Sequence, residues 1–454
     1  MKKIKLPLWL SGGIFLLLTS CLGDDAAIEE WNLSNCQIST FSLSSDSISD
    51  LANVKFTIDQ VNGLIFNKDS MPYGTNILFK VICNVTYAVG GITSIEVHQK
   101  ATDEKAYWNG TDSLDFSDDV EFYIISYDGK ASKTYTAKLN VHQQHPDSMA
   151  WSRDASPLPV TGAADRKVIV HDNAYLLYAR SAGGYELYES PLPNADRWTK
   201  ASLTGLPDKT FILSQITEYE GHLYLLASDG ALFRATDGRT WTAVDGAPAI
   251  AALLGAVNAG TGPEGRPSAL AAIVRNGDAR RFAAMNASTQ WQEGTDVPDG
   301  FPVTGFASNS YRQMYYSHLS LVAGKDRNGT PGNKSWDTMD GLTWICLTVT
   351  GKDYFDRREG AMLADYDGKL YLIGGINASN QGLKDIYTSA DKGVTWASAD
   401  SLTFLPDTYR GRGYASMLVD KDNFVLLFGG KERNEANMSD ELWRGRINRL
   451  GYKD

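Results

Sequence analysis

Cysteine and histidine are scarce in this chain of 454 residues, which contains four cysteines and six histidines. No two cysteines have the spacing of a metal-ligand pair and the histidines are scattered, so the sequence predicts no metal site and no cofactor. Positive charge is also in deficit, since 43 lysines and arginines face 54 aspartates and glutamates, for a net charge of -11. Without a basic cluster beyond the first five residues, the composition argues against a nucleic-acid partner.

Long apolar runs are missing except at the N-terminus, where an apolar stretch over residues 6–18 follows three lysines. This stretch is too short for a membrane-spanning helix and predicts an export signal over residues 1–20. The signal ends in the motif Leu-Thr-Ser-Cys at 18–21, which resembles the lipobox of bacterial lipoproteins. The resemblance implies that the Cys21 thiol is acylated and that its acyl chains bind outer-membrane lipid. An ordinary signal peptide with a chance cysteine is the alternative.

The next segment, residues 21–34, is acidic, with carboxylates at Asp24, Asp25, Glu29 and Glu30. Such a composition predicts a solvated tether. An acidic stretch in this place also resembles the export tag of surface-exposed lipoproteins in Bacteroidetes-type bacteria. That resemblance implies an outer-membrane lipoprotein on the cell surface, whereas a merely solvated linker leaves a periplasm-facing location open.

Residues 35–143 contain short alternating strands without an internal repeat, a pattern typical of an all-β domain. The clearest element is a hairpin, in which VEFYIISY (120–127) turns at Asp128-Gly129 and KTYTAKLNVH (133–142) returns. These strands predict an immunoglobulin-like (Ig-like) β-sandwich, and the hairpin resembles the last two strands of Ig-like modules in bacterial surface proteins. Cys36 and Cys83 lie in this domain, where a disulfide and two buried free thiols are equally compatible with the sequence.

Six tryptophans recur along the rest of the chain at intervals of 47, 43, 50, 53 and 52 residues, the period of a β-propeller blade. They are Trp151, Trp198, Trp241, Trp291, Trp344 and Trp396. Each of the last five closes a unit with an apolar strand and an aromatic-bearing strand. A sixth apolar strand, FVLLFGG at 424–430, has no closing tryptophan of its own, and Trp151 stands in front of the first unit. The sequence therefore predicts that residues 148–454 form a six-bladed β-propeller closed by strand exchange between its ends.

The segment SADKGVTW at 389–396 matches the Asp-box of sialidases and other propellers, with shortened copies at 236–241 and 339–344. In such a turn the aspartate accepts backbone hydrogen bonds, the glycine takes a positive φ and the tryptophan packs between sheets. These roles indicate a structural device. The sequence has no convincing tyrosine nucleophile with its acid, so sialidase activity is not expected.

Two units resemble kelch repeats. The first of them has Arg358-x-Gly360, Gly374-Gly375, Tyr387 and Trp396, and the second has Arg412-Gly413, Gly429-Gly430 and Trp443. The first four units depart from this pattern. Kelch propellers include copper oxidases, whose ligand set has no match here, and bacterial N-acetylneuraminate epimerases. The latter provide, by analogy alone, an enzymatic alternative of the sialic-acid mutarotase or glycosidase type.

Arginines stand at the starts of innermost strands in the repeat alignment. Arg166, Arg358 and Arg412, with Tyr409 and Arg410 nearby, are therefore the predicted ligand-binding residues of an axial pocket. A basic pocket in an acidic protein would suit an acidic glycan or protein. The alternative, which carries more weight, is that these arginines satisfy neighbouring carbonyl groups.

The signal, lipobox, Ig-like module and six-bladed kelch-like ring together resemble a family of Bacteroidetes surface lipoproteins, and this resemblance implies no activity. The first functional hypothesis is a monomeric, non-catalytic surface lipoprotein that binds a glycan or protein through the propeller face. A carbohydrate-active enzyme and a structural component of an outer-membrane complex are the two alternatives.

Overall fold

The computed structural model describes residues 33–77, 80–88, 91–261, 265–348 and 354–451. The predicted export signal, Cys21 and nearly all of the acidic tether lie outside the described residues. The chain divides into two compact units, Met1–Gln143 and Gln144–Asp454. Helix in the described ranges consists of three short 3-10 segments, Leu51–Asn53, Leu213–Gln215 and Asn448–Gly451. None of these is long and apolar enough to cross a membrane.

The first unit contains two sheets within its described residues. Its strands are β1 (Ile38–Ser44), β2 (Phe56–Asp59), β3 (Leu64–Asn67), β4 (Ile82–Tyr87), β5 (Ile92–Gln99), β6 (Glu104–Tyr107), β7 (Val120–Ser126) and β8 (Ser132–Lys138). Strand β1 pairs with β4, and the other six follow the order β2-β3-β8-β7-β5-β6. The predicted hairpin is present as the antiparallel pair β7 and β8. Strand β3 lies parallel to β8.

One hydrophobic core joins these two sheets. Phe41 of β1 packs edge-on against Phe122 of β7, with ring centroids 6.0 Å apart. Cys36 and Cys83, whose pairing the sequence left open, are buried free thiols in the structure. Burial raises the pKa of Cys83 well above its ordinary value, which keeps this thiol protonated. The Ig-like identity of the unit stays a prediction, since six of its described strands share a single sheet.

The second unit contains six antiparallel sheets within its described residues. The first has β10 (Asp165–His171), β11 (Ala174–Ser181), β12 (Gly184–Pro191) and β13 (Thr199–Ala201), and the second has β14 (Thr217–Tyr219), β15 (His222–Leu226), β16 (Leu232–Ala235) and β17 (Thr242–Ala243). The third has β18 (Ile250–Val257), β19 (Ala269–Asn276), β20 (Ala279–Met285) and β21 (Trp291–Asp296), and the fourth has β22 (Ala307–Gln313), β23 (Tyr316–Val322), β24 (Ser335–Thr338) and β25 (Ile345–Cys346). The fifth has β26 (Arg358–Glu359), β27 (Met362–Tyr366), β28 (Lys369–Asn377), β29 (Gly382–Ser389) and β30 (Ala397–Ser398). The sixth has β31 (Ser416–Val419), β32 (Val425–Phe428), β33 (Leu442–Ile447) and β9 (Met149–Arg153).

The repeated sequence pattern corresponds to position within these sheets. The apolar strands are β11, β15, β19, β23, β28 and β32, whose middles are buried because a sheet packs against each face. The periodic tryptophans lie at the outer edge of each sheet, within or immediately before its outermost strand. Buried side chains fill the space between each sheet and the next. The sixth sheet also packs against the first, where the rings of Tyr175 and Phe428 lie 5.7 Å apart.

The sixth sheet takes its outermost strand from the beginning of the unit. Strand β9 pairs antiparallel with β33, and Trp151 lies opposite Gly445. A Cβ atom on Gly445 would lie 2.5 Å from the Trp151 ring, so the indole lies directly on the glycine backbone. Trp151 is half-buried, which differs from the full enclosure that its place in the repeat suggests.

Candidate functional site

The three arginines singled out by the repeat alignment are buried and bonded within their own unit. Arg358 donates two hydrogen bonds to the Asp385 carboxylate, at 2.6 and 3.0 Å, and a third to the Gly374 carbonyl. Arg412 donates to the Gly429 carbonyl and to the Glu441 carboxylate, the latter at 2.7 Å.

Arg166 makes no ion pair of this kind. Its guanidinium donates to the backbone carbonyls of Pro159, Val160 and Ser439. Burial of the charge lowers the Arg166 pKa to about 10. The contacts of all three arginines match the alternative in which they satisfy neighbouring carbonyl groups, and their role toward a ligand stays a prediction.

The glycine doublets of the kelch-like units make room for these arginines. Gly375 has a φ of 110°, and a Cβ atom added there would lie 3.2 Å from Cδ of Arg358. Gly430 has a φ of 91°, and its Cβ would lie 2.9 Å from Cδ of Arg412. A side chain at either position would therefore be strained and would displace the arginine.

The two other predicted ligand residues, Tyr409 and Arg410, differ in their exposure to solvent. Tyr409 is buried beneath the Arg412 guanidinium, which lies 4.5 Å from the ring centroid. Burial raises the pKa of its hydroxyl, which has no hydrogen-bond partner among the described residues. Arg410 is exposed and pairs with Glu432 at 3.3 Å. The five predicted residues thus do not present a shared set of free donors.

The Asp-boxes connect neighbouring sheets. Asp391 accepts a hydrogen bond from the Thr395 backbone N–H at 2.8 Å and from the Thr395 hydroxyl at 2.6 Å. Trp396, at the end of the box, donates its indole N–H to the Ser335 hydroxyl of the preceding sheet at 3.0 Å. Tyr178 of the first sheet donates its hydroxyl hydrogen bond to the backbone carbonyl of Gly238, in the shortened Asp-box of the second sheet, at 2.6 Å. These contacts support the structural interpretation of the motif.

A cavity of about 220 Å³ opens where the first strands of several sheets meet. The residues that line it come from five of the six sheets or the segments that lead into them. They include Lys167, Ser214, Ser308, Met362 and Tyr414. Separate sheets converge on one small volume here, as the predicted axial pocket requires, and we call this volume the axial cavity.

Tyr414 has an unusual backbone conformation at the edge of this cavity. Its φ is 59°, in the left-handed region that bulky residues rarely adopt. Its ring lies on Gly360, where a Cβ atom would come within 2.5 Å of it, and its hydroxyl lies beside Gly305. Both glycines have the same left-handed conformation, with φ of 61° and 60°. Strain of this kind persists only where the surroundings hold it, and it is enriched at functional sites.

The Tyr414 hydroxyl donates to Glu359, a carboxylate that is only 2% exposed. Lys325 pairs with the same carboxylate at 2.5 Å, and Asn434 donates to it at 2.9 Å. Burial by itself would raise the pKa of Glu359, but these three donors outweigh burial and hold it below its ordinary value. Burial and the neighbouring Glu359 raise the pKa of Tyr414. The pair therefore stays as carboxylate and neutral phenol at neutral pH.

A second set of charges lies around Asp165, at the start of β10. Asp165 lies directly opposite Arg180 in the neighbouring strand. Burial raises the pKa of Asp165, while Lys431, Arg180 and Lys167 act electrostatically in the opposite direction. Three cationic side chains thus lie near one carboxylate.

The sequence analysis did not identify Glu359, Tyr414 or the lysines. A signal was present, because the kelch-like pattern Arg-x-Gly at 358–360 is repeated at 412–414 with Tyr414 in place of the glycine. A tyrosine at a position that requires positive φ is a candidate functional residue. Nothing comparable marks Lys167, which follows Asp165 by two residues in β10, or Lys431, which approaches Asp165 from the sixth sheet.

Comparisons with known proteins place this chain in a family. The model described as "DUF6242 beta propeller domain" matches residues 145–454, and the model described as "Domain of unknown function (DUF6242) N-terminal domain" matches residues 33–139. No curated protein matches the sequence. A solved structure called "Structure of YjhT" is similar at 15% identity and a TM-score of 0.43, covering 63% of this chain and 96% of that one. The chain is an all-β protein with a C-terminal β-propeller domain, and it belongs to the DUF6242 family.

Proposed function

We propose that this protein is a lipoprotein anchored in the outer membrane through acylated Cys21, and that its propeller binds a glycan at the axial cavity without catalysis. The observation that carries the binding proposal is Tyr414, held at positive φ over two glycines with its hydroxyl on buried Glu359. Binding a protein instead of a glycan would use the same propeller face. An Ig-like first unit would serve as a spacer or second contact.

We further propose that the propeller has six kelch-like blades and that strand exchange closes it. Support comes from the six sheets of the described residues, each packed on the next. Two contacts support closure: the sixth sheet packs on the first, and its outermost strand β9 precedes the first sheet in the chain. A closed ring would hold the cavity residues of separate sheets at fixed distances, as ligand recognition requires.

The charge states of the site favour binding over hydrolysis. A glycosidase needs a protonated carboxylic acid at neutral pH, and its pKa is therefore raised. The pKa of Glu359 is instead lowered, so this buried carboxylate is a poor proton donor and serves to orient the Tyr414 hydroxyl. Tyr414, with its raised pKa, offers an aromatic surface and a neutral hydroxyl. An aromatic ring at the edge of the cavity suits a sugar.

A glycan array probed with the full-length chain in detergent tests this proposal. We expect the wild type to bind a defined set of glycans and Tyr414→Phe to bind them at least severalfold more weakly, because Glu359 loses the donor that orients it. Tyr188→Phe is the matched control, since it removes a tyrosine-to-glutamate hydrogen bond of 3.1 Å in an outer strand. Equal losses in the two folded variants, or no glycan bound by the wild type, would count against the axial site.

A further inference from the structure

Positive charge exceeds negative charge where β10 reaches the axial cavity. Lys167, Arg180 and Lys431 are all close enough to Asp165 to influence its ionisation, and none of them forms an ion pair with it among the described residues. Glu359 also acts on Lys431 but is already paired with Lys325 at 2.5 Å. Glu435, a further neighbour of Lys431, is exposed. Three cations around one half-buried carboxylate leave a local excess of positive charge in a protein of net charge -11.

These cations have few partners among the described residues. Lys167 is half-buried and forms no hydrogen bond or ion pair there. The Nε atom of Arg180 is buried without a hydrogen-bond partner. Lys431 donates to the Asn434 carbonyl at 3.1 Å, and its ammonium lies 4.7 Å from the centre of the Tyr414 ring. Buried donors and charges are normally paired, so their occurrence together near a cavity that Lys167 lines requires an explanation.

The cavity offers donors to a ligand and no competing carboxylate. Lys167, Ser214, Ser308 and Tyr414 all line it, and no aspartate or glutamate is among its described lining residues. Desolvation lowers the pKa of both Lys167 and Lys431, and an approaching anion would reverse that effect by pairing with the ammonium groups. A site with these donors favours an oxyanion over a neutral group.

We propose that the axial cavity binds an oxyanion, either a carboxylate or a phosphate, through Lys167, which lines it, while Arg180 and Lys431 add positive charge around the neighbouring Asp165. The Ser214 and Ser308 hydroxyls are the neutral donors of the same site. The proposal refines the proposed glycan-binding function, because the anion would be an acidic substituent of the sugar. Anion binding itself does not require that the ligand be a glycan. The predicted arginines 358 and 412 are not needed for it.

Calorimetry on the full-length chain in detergent, at constant ionic strength, tests the proposal with four probes. Glucuronate and glucose differ by a carboxylate, and glucose 6-phosphate and inorganic phosphate supply the other oxyanion with and without a sugar. We expect the two acidic sugars to bind at least about tenfold more tightly than glucose, the effect of one charge-assisted hydrogen bond. Lys167→Met should remove most of that preference for the acidic sugars.

Lys200→Met is the control, because Lys200 is an exposed lysine paired with Glu186 in an outer strand. The melting temperature of Lys167→Met should not fall, since Lys167 has no partner to lose among the described residues. If that variant does not fold, Arg180→Met takes its place, with loss of the same preference expected.

The outcomes separate the two proposals. Equal binding of glucose and glucuronate would overturn the anion site and leave glycan binding in place. If phosphate binds to the wild type about tenfold more tightly than to Lys167→Met, and no sugar binds to either, the result would support the anion site and reject glycan binding. A wild type that binds none of the four probes, or a Lys167→Met protein that behaves as Lys200→Met does, would overturn the anion site.

Discussion

Tyr414, at the entry to the sixth sheet, donates its hydroxyl hydrogen bond to Glu359 in the first strand of the fifth sheet. This contact joins two sheets at the edge of the axial cavity and fixes the hydroxyl end of an aromatic ring on a charged acceptor. It depends on two small neighbours, since a side chain at Gly305 or Gly360 would collide with Tyr414. The candidate site is therefore built by the meeting of sheets, with residues about 50 positions apart in the chain.

Lys325→Met is expected to destabilise the second unit at neutral pH and to matter less in acid. The substitution leaves the Glu359 carboxylate buried with one donor fewer, which costs roughly 1 to 3 kcal/mol. Because the folded-state pKa of Glu359 lies below its ordinary value near 4.5, its contribution to stability is present above that value. The contribution disappears as the pH falls through the lowered folded-state pKa. Urea unfolding followed by tryptophan fluorescence at pH 7 and pH 4 measures the difference.

The control for this prediction is a double-mutant cycle. Lys325→Met combined with Glu359→Gln should cost less than the sum of the two single losses, since the buried charge is no longer present. Additive losses, or an equal effect of Lys325→Met at both pH values, would contradict the described pairing.

Gly445→Ala is expected to destabilise the second unit by roughly 1 to 3 kcal/mol, because the new methyl group would overlap the Trp151 ring. Gly183→Ala is the matched control, as its Cβ would meet only a serine hydroxyl at 3.6 Å. In a Trp151→Ala background the cost of Gly445→Ala should largely vanish.

A chain that starts at residue 160 and lacks β9 should aggregate or melt far below one that starts at residue 146. Similar melting of those two chains would reject closure by β9.

Arg358→Met should lower the free energy of unfolding by about 2 to 4 kcal/mol, because it removes the bidentate hydrogen bonds that the Asp385 carboxylate accepts from the guanidinium group. Arg410→Met, at an exposed pair with Glu432, should change it by less than about 0.5 kcal/mol. Thermal and urea unfolding of both variants provide the measurement. A fully stable Arg358→Met protein with reduced affinity for an acidic ligand would instead favour the ligand role assigned to Arg358 from the sequence.

Cys21→Ser should release the protein from the membrane. Only a thiol can accept the lipid, and the acyl chains supply about 0.8 kcal/mol per buried CH2. Fractionation of cells that express the wild type and the variant, with Cys83→Ser as a control for loss of any other thiol, is the test. If the variant sediments with membranes to the wild-type extent, the lipobox interpretation is wrong.

The sequence alone was sufficient for the propeller and for its order of strands. The tryptophans from Trp151 to Trp396 recur with the period of one sheet, because every sheet repeats the same burial pattern from its buried second strand to its outer edge. The Asp-box at 389–396 identified a turn, since its contacts are local and depend on residue types at fixed spacing. The family comparison agrees with this level of description.

The candidate site was decided only by tertiary structure. Sequence position made Arg358 and Arg412 candidates either for an axial ligand or for neighbouring carbonyl groups. Each also has an acidic partner, 27 or 29 residues away, that the repeat does not reveal. Tyr414, Glu359 and Lys325 belong to three different sheets or the segments between them. Lys431, from the sixth sheet, likewise approaches Asp165 in the first sheet. Local periodicity determines which residues form strands and which are buried, because those depend on near neighbours. Which charges face one another across the cavity depends on how whole sheets pack, and no short stretch of sequence encodes that.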